Sequence, residues 1–217
     1  MNFIEERETP GNVVKKRCGE IGMLFRILFW ISLLFLAAKV IWAIYIGTMP
    51  GSSFRLTLMD AEGLTYGVAF YGTGQRIEFQ EGVLSYAAQS SPKLCFMAGM
   101  AVYVLLGAVT TWILWLVRRI FRNVEKKETP FEKENSRAVR RIGLLVVVYS
   151  LIYTLVLPLL CLALGLGRAQ VSLVDGKMVL VGCLIISLSY IFEYGSALQQ
   201  EADETLGGER YVHYTSA

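Results

Sequence analysis

Apolar residues along this chain gather into four long blocks, covering residues 23–46, 94–117, 142–166 and 178–195. Each block is near the ~20 residues that a helix needs to cross a hydrocarbon core about 30 Å thick. None carries the polar stripe by which a core helix of a soluble domain faces water. The pattern predicts four transmembrane helices. The first block is too long for the apolar region of a signal peptide, lies behind a polar stretch and lacks a small-residue cleavage site, so it is expected to remain as a span.

Between the first two blocks the periodicity changes. In residues 47–93, Phe54, Leu56 and Leu58 alternate with Arg55 and Thr57, the period-two pattern of a half-buried strand. Asp60 to Gly63 offers a turn, and residues 64–71 are rich in β-formers. Gly72-Thr73-Gly74 offers a second turn, followed by the alternating Arg76 to Gln80. A small antiparallel β element is predicted here. Two or three strands alone are marginal in water, so the element is expected to pack on the helix ends or on another copy. The fold class is therefore an all-α membrane protein, four transmembrane helices with a small extracytoplasmic β element between helices 1 and 2, in a single domain.

Two prolines sharpen the third span. Thr129, Pro130 and Glu132 have the order of an N-cap, a first helical residue and a reciprocal capping carboxylate, which predicts a helix opening near Pro130. Pro158 removes a backbone bond near Thr154 and should bend the helix.

Charge gives the topology. The connector at residues 118–141 holds nine Lys/Arg, against three in the longer segment 47–93. Basic residues are retained on the cytoplasmic side. The connector is therefore expected inside, with Lys15, Lys16 and Arg17 in agreement, and both termini are then cytoplasmic. A basic run beside a membrane reads as topological and lipid-facing rather than as a nucleic-acid site. The short match between Glu8-Thr9-Pro10 and Glu128-Thr129-Pro130, each ahead of an Ile-Gly pair, leaves open a duplication of two-helix units.

Few residues suggest chemistry. Glu193, near the end of the fourth span, is costly there unless it pairs or reaches water. Arg137, Arg140 and Arg141 start the neighbouring helix at similar depth, so a pair between Glu193 and one of them is expected, with a proton or partner-binding role as the alternative. Lys39 lies inside the first span as an intramembrane cation, read either as a snorkelling side chain or as a functional charge. Cys161 and Cys183 fall at similar depth, as paired thiols of a membrane oxidoreductase would. No C-x-x-C occurs, however, and buried inert cysteine is the commoner case. The lone His213 has no cysteine at metal-ligand spacing, and no metal or cofactor is expected.

Glu128-Thr129-Pro130-Phe131, Asn135, Arg140-Arg141-Ile142-Gly143, Ile191 to Gly195 and the acidic run through Leu206 together resemble the bacterial membrane family DUF2975. The resemblance covers the second half of the chain, and the first half in layout. It implies four spans and no established activity. It also implies a partner, a small cytoplasmic helix-turn-helix regulator, because members are often found beside one.

These readings lead to an integral protein of the bacterial plasma membrane, embedded in the lipid bilayer, without direct nucleic-acid contact. The expected role is that of a non-enzymatic sensor or regulator whose basic connector and acidic tail, residues 196–217, hold a cytoplasmic partner. The alternatives are a transporter or channel subunit acting as a homo-oligomer and a membrane thiol oxidoreductase.

Overall fold

A computed structural model describes residues 10–58, 66–79, 83–84, 91–127, 132–167 and 176–215. The elements run in the order α1 (Pro10–Thr48), a 3-10 turn (Gly51–Ser53), β1 (Phe54–Leu58), β2 (Tyr66–Phe70), β3 (Arg76–Glu78), α2 (Pro92–Lys127), α3 (Lys133–Leu151), a π turn (Ile152–Val156), α4 (Leu157–Ala163) and α5 (Gly176–Thr215). Four helical stretches are long and apolar enough to span a bilayer: Cys18–Thr48, Pro92–Glu125, Lys133–Ala163 and Gly176–Ala202. Their side chains agree with a lipid solvent. The apolar window of the first stretch has no buried residue, and Leu34, Phe35, Ile41 and Ile44 are all exposed. An apolar surface of that extent on a helix is stable only against lipid or another protein. The chain is a multi-pass membrane protein.

The helices outrun the apolar blocks. α1 has 39 residues, about 58 Å of axis at 1.5 Å per residue, roughly twice the hydrocarbon thickness. Hydropathy marks the part of a helix that lipid requires, and the helix continues through polar sequence until a breaker stops it. Pro10 and Pro92 stand at helix starts, where a missing N–H costs nothing. Pro50 and Gly51 follow the end of α1.

By internal contacts the chain divides into two compact units. A sheet unit comprises Ile31–Trp112 and Leu145–Leu180, and a connector unit comprises Met1–Trp30, Ile113–Leu144 and Val181–Ala217.

In the sheet unit the three strands are antiparallel in the order β1-β2-β3. Phe54 opposes Phe70 and Leu58 opposes Tyr66, while Val68 opposes Ile77. The alternation read from the sequence is the alternation of burial. Phe54, Val68, Phe70, Ile77 and Phe79 are buried, and Arg55, Arg76 and Glu78 are exposed. Gly74, at φ +67°, closes the β2–β3 turn, where Phe70 N–H donates to the Gln75 carbonyl at 2.9 Å. The buried face packs on α2. Phe54, Phe70 and Phe96 form an aromatic cluster with centroids 5.3–6.4 Å apart. Gly99 admits Ile77 so closely that a Cβ there would stand 2.6 Å from Ile77 Cγ2. This contact supplies the support that an isolated three-stranded sheet lacks.

The third span departs from regular α geometry where its sequence requires. Pro158 cannot donate to the carbonyl of residue 154 and its ring crowds that carbonyl. The backbone widens into the π turn Ile152–Val156 just before it, and the Thr154 hydroxyl donates to the Ser150 carbonyl. α4 ends in a Schellman motif. Leu166 N–H reaches the Cys161 carbonyl at 2.8 Å, Gly165 N–H reaches the Leu162 carbonyl at 3.0 Å, and Gly165 has φ +70°. The next residue, Gly167, pairs with Leu84 in an isolated bridge. The helix opening expected at Thr129 and Pro130, and the turn at Asp60 to Gly63, lie outside the described residues. The described part of α3 opens at Lys133, with the Glu132 carbonyl accepting from Asn135 and Ser136 N–H.

Candidate functional site

The densest polar constellation lies in the connector unit, where α2 ends and α3 begins. Asn135 is buried at 1 % exposure, and its Oδ1 accepts from Asn123 Nδ2 at 3.2 Å. The same Nδ2 stands 3.5 Å from Glu134 Oε2. Glu134 in turn pairs with Arg119 at 3.6 Å. That pair is substantially exposed and adds little stability.

The neighbouring residue turns the other way. Ser136 Oγ donates to the Ser189 carbonyl at 2.9 Å, and Ser189 Oγ donates to the Ile186 carbonyl at 2.6 Å. Two turns along α3, Gly143 brings α5 into backbone contact. A Cβ there would lie 2.6 Å from Ile186 Cγ1, 2.8 Å from the Gly182 carbonyl oxygen and 2.9 Å from Ile186 N. Asn135 thus ties the start of α3 to α2, and Ser136 with Gly143 ties it to α5. Small residues at such crossings let helices approach in lipid, where no hydrophobic force drives them together.

The cations around this base fall into two groups. Arg118 lies over the Phe29 ring at 5.3 Å, Arg119 over Trp115 at 5.8 Å and Arg140 over Tyr190 at 5.8 Å. Arg122, Arg137 and Arg141 are exposed and make no hydrogen bond or ion pair among the described residues.

Glu193 is exposed as well. The ion pair expected between it and Arg137, Arg140 or Arg141 is not formed among the described residues. The helical period accounts for this. With about 100° per residue, the Ser136–Gly143 side of α3 faces α5, which turns Arg137 and Arg141 away from it. Arg140, at the edge of that side, rests on Tyr190. The depth argument placed the charges at one level without fixing which side of the helix they occupy.

Beyond Glu193 the acidic tail continues α5. Glu201 and Glu204 are exposed, Gln200 Nε2 donates to Glu204 Oε1 at 2.9 Å, and Lys133 Nζ reaches Gln200 Oε1 at 3.5 Å. Connector and tail therefore meet through an amide, and the described carboxylates of the tail stay apart from the connector's arginines.

The remaining residues singled out from sequence are in the sheet unit or apart from it. Lys39 lines a cleft of about 330 Å³ with Ser32, Tyr103, Thr110 and Tyr149 among its walls. All four cysteines are free thiols. Cys161 is fully buried and Cys183 is exposed, so the two differ sharply in environment. Cys95 is, like Cys161, fully buried. Among the described residues no three His, Cys, Asp or Glu are grouped to hold a metal ion; the His213 side chain lies outside them.

Sequence reasoning did not find the roles of Ser136 and Ser189. Serines in an apolar span carry no periodic signal, and the contacts that define them join helices distant in sequence. Gly143 did carry a signal, a small residue at the entry of a span.

No curated protein matches the chain, and no solved structure matches it. The model of a family of unknown function, DUF2975, matches residues 74–206, which hold β3, α2 to α4 and most of α5, and with them Asn135, Ser136, Gly143, Ser189 and Glu193. That match covers well over half of the sequence, and the protein belongs to the DUF2975 family.

Proposed function

We propose that this protein is a non-enzymatic, membrane-anchored sensor or regulator that holds a cytoplasmic partner on its connector surface. One observation carries the reading. Arg137 and Arg141, one turn apart on α3, are exposed and unpaired among the described residues, while α3 itself is fixed from below by Asn135 and Ser136. Cations that the fold neither buries nor neutralises, on a helix held rigid by its other sides, suit recognition of an acidic surface. The exposed carboxylates Glu193, Glu201 and Glu204 on α5 offer the opposite charge for a partner's basic side.

The distribution of basic residues supports a bacterial plasma-membrane protein with both termini and the connector in the cytoplasm and the sheet outside. The partner that the family resemblance implies is a small helix-turn-helix regulator. Its test is co-purification of the tagged full-length chain with such a regulator in mild detergent. The expected result is a complex weakened by salt, and weakened again by the Arg137→Gln/Arg141→Gln double substitution at unchanged protein yield. A complex indifferent to both would refute the reading.

A further inference from the structure

The sheet unit fixes where the membrane boundary falls on its side. Trp42 Nε1 on α1 donates to Gln75 Oε1 at 2.6 Å, and Gln75 Nε2 reaches Met100 Sδ on α2 at 3.8 Å. Gln75 belongs to the β2–β3 turn, and irregular backbone facing lipid does not occur in hydrocarbon. Tryptophan prefers the interface. The hydrocarbon on this side therefore begins at about the level of Trp42 and Met100. Lys39 and Tyr103 each lie three residues further in, about 4.5 Å of helix axis.

The cleft opens at that level. Its walls run from Lys39 and Tyr103 past Phe35 and Leu36 to Ser32 and Thr110. The seven residues from Lys39 to Ser32 span about 10 Å of axis. Gly107 brings α2 close against Leu36 beside the cleft, since a Cβ there would stand 3.2 Å from Leu36 Cδ1. The hydroxyls at the foot are spent within the protein. Ser32 Oγ and Thr111 Oγ1 are 2.8 Å apart, and Thr110 Oγ1 donates to the Leu106 carbonyl at 2.9 Å. Lys39 differs from them, for it makes no hydrogen bond or ion pair among the described residues. An ammonium below the interface without a counter-charge is expensive, and lifting it to the headgroups is the relief open to a lysine beside a filled surface. Here the same side chain borders a cavity whose further walls set Phe35, Leu36 and Leu106 beside the hydroxyl-bearing Ser32 and Thr110.

We propose that this cleft binds a single-chain amphiphile with an anionic head, of the fatty-acid carboxylate class, its carboxylate paired with Lys39 at the mouth and its chain laid along Phe35 and Leu36 toward Ser32. The charge selects an anion, and the side chains of Phe35, Leu36 and Leu106 select a chain. At about 330 Å³ the cleft is at the small end of ligand sites, which favours one chain over the two of a phospholipid. The inference is independent of the partner-binding proposal, because every lining residue belongs to the sheet unit.

The test is native mass spectrometry of the full-length chain in an uncharged detergent, titrated with dodecanoate, dodecanol and phosphatidylglycerol, for wild type, Lys39→Met and Lys39→Arg. Dodecanoate should bind one per chain, about tenfold or more tighter than dodecanol, the ratio expected for loss of one partly buried charge pair. Lys39→Met should lose that preference and Lys39→Arg should keep it. Equal uptake of acid and alcohol overturns the proposal, as does undiminished binding by Lys39→Met. Lys39-dependent binding of phosphatidylglycerol in preference to dodecanoate would overturn the single-chain assignment. Lys39→Met removes an uncompensated charge and should fold at least as well as wild type, so a loss of binding reports on the site.

Discussion

Lys93, one residue into α2, holds the last turn of α1 through Gly47: its Nζ donates to the Gly47 carbonyl at 2.8 Å and to the Met49 carbonyl at 2.7 Å. A helix ends with carbonyls that have no internal partner, and here those of Tyr45, Ile46 and Gly47 are met. Thr48 Oγ1 donates to the Tyr45 carbonyl at 2.7 Å, Met49 N–H reaches the Ile46 carbonyl at 3.0 Å, and Lys93 takes the next. The ammonium also lies at the negative end of the helix dipole. Lys93→Met should therefore destabilise the protein by about 1.5–3 kcal/mol, the range for hydrogen bonds to a charged group. A fall in Tm in detergent, recovered in part by Lys93→Arg, checks it.

The sheet beside Lys93 was legible in the sequence, and the role of Lys93 was not. Phe54-Arg55-Leu56-Thr57-Leu58 alternates because one side of a strand meets the core and the other does not, so local order reports burial directly. The four spans were legible for a similar reason, since lipid acts on every residue of a long block. The lysine gave no such signal, because what it bonds lies 46 residues away. Glu193 shows the intermediate case. Its level along α5 could be read from the apolar block, and its side of the helix relative to Arg137 could not. The Lys39 cleft likewise joins side chains of α1, α2 and α3 that lie far apart in sequence, a fact of packing alone.

Gly143→Ala should be more damaging than its size suggests. The added carbon would meet the Gly182 carbonyl oxygen at 2.8 Å and Ile186 N at 2.9 Å, which are backbone atoms that no rotamer change can move. α3 and α5 would have to separate, at a cost of about 1–3 kcal/mol typical of overpacking. Gly19→Ala is the control, since nothing lies within 4 Å of the carbon it adds. Thermal unfolding in detergent should lower Tm for the first variant and leave the second near wild type.

Asn135→Ala should take from the Asn123 amide its 3.2 Å acceptor, Asn135 Oδ1, and leave it only the longer contact to Glu134 Oε2. Asn135 is almost fully buried, so its loss removes a bonded partner from a site that water does not readily refill, at about 1–3 kcal/mol. The unfolding midpoint should fall, and limited proteolysis should cut the connector faster. Unchanged proteolysis would separate Asn135 from the ordering of the start of α3.

Glu193→Gln is expected to be nearly silent for stability. With Glu193 and Arg137 both exposed and unpaired among the described residues, each single change to Gln should stay within about 0.5 kcal/mol. The double variant should equal their sum. A coupling above about 1 kcal/mol in that cycle would restore the ion pair that the sequence suggested. Arg140→Gln differs in kind, because it uncovers the exposed Tyr190 ring and should alter tyrosine fluorescence more than Tm.

Topology can be tested at two exposed arginines. Arg76 stands on β3 and Arg122 near the end of α2, each exposed and free of a described partner. In a background with Cys18, Cys95, Cys161 and Cys183 replaced, Arg76→Cys should react with a membrane-impermeant maleimide on intact cells. Arg122→Cys should react only after permeabilisation, because the other eight basic residues of the connector should hold it on the cytoplasmic side. Both positions are exposed in the fold, so neither outcome can be attributed to burial within the protein. The reverse pattern would place the sheet in the cytoplasm. It would also move the arginines of α3 to the far side of the membrane from any cytoplasmic regulator, and end the partner proposal with it.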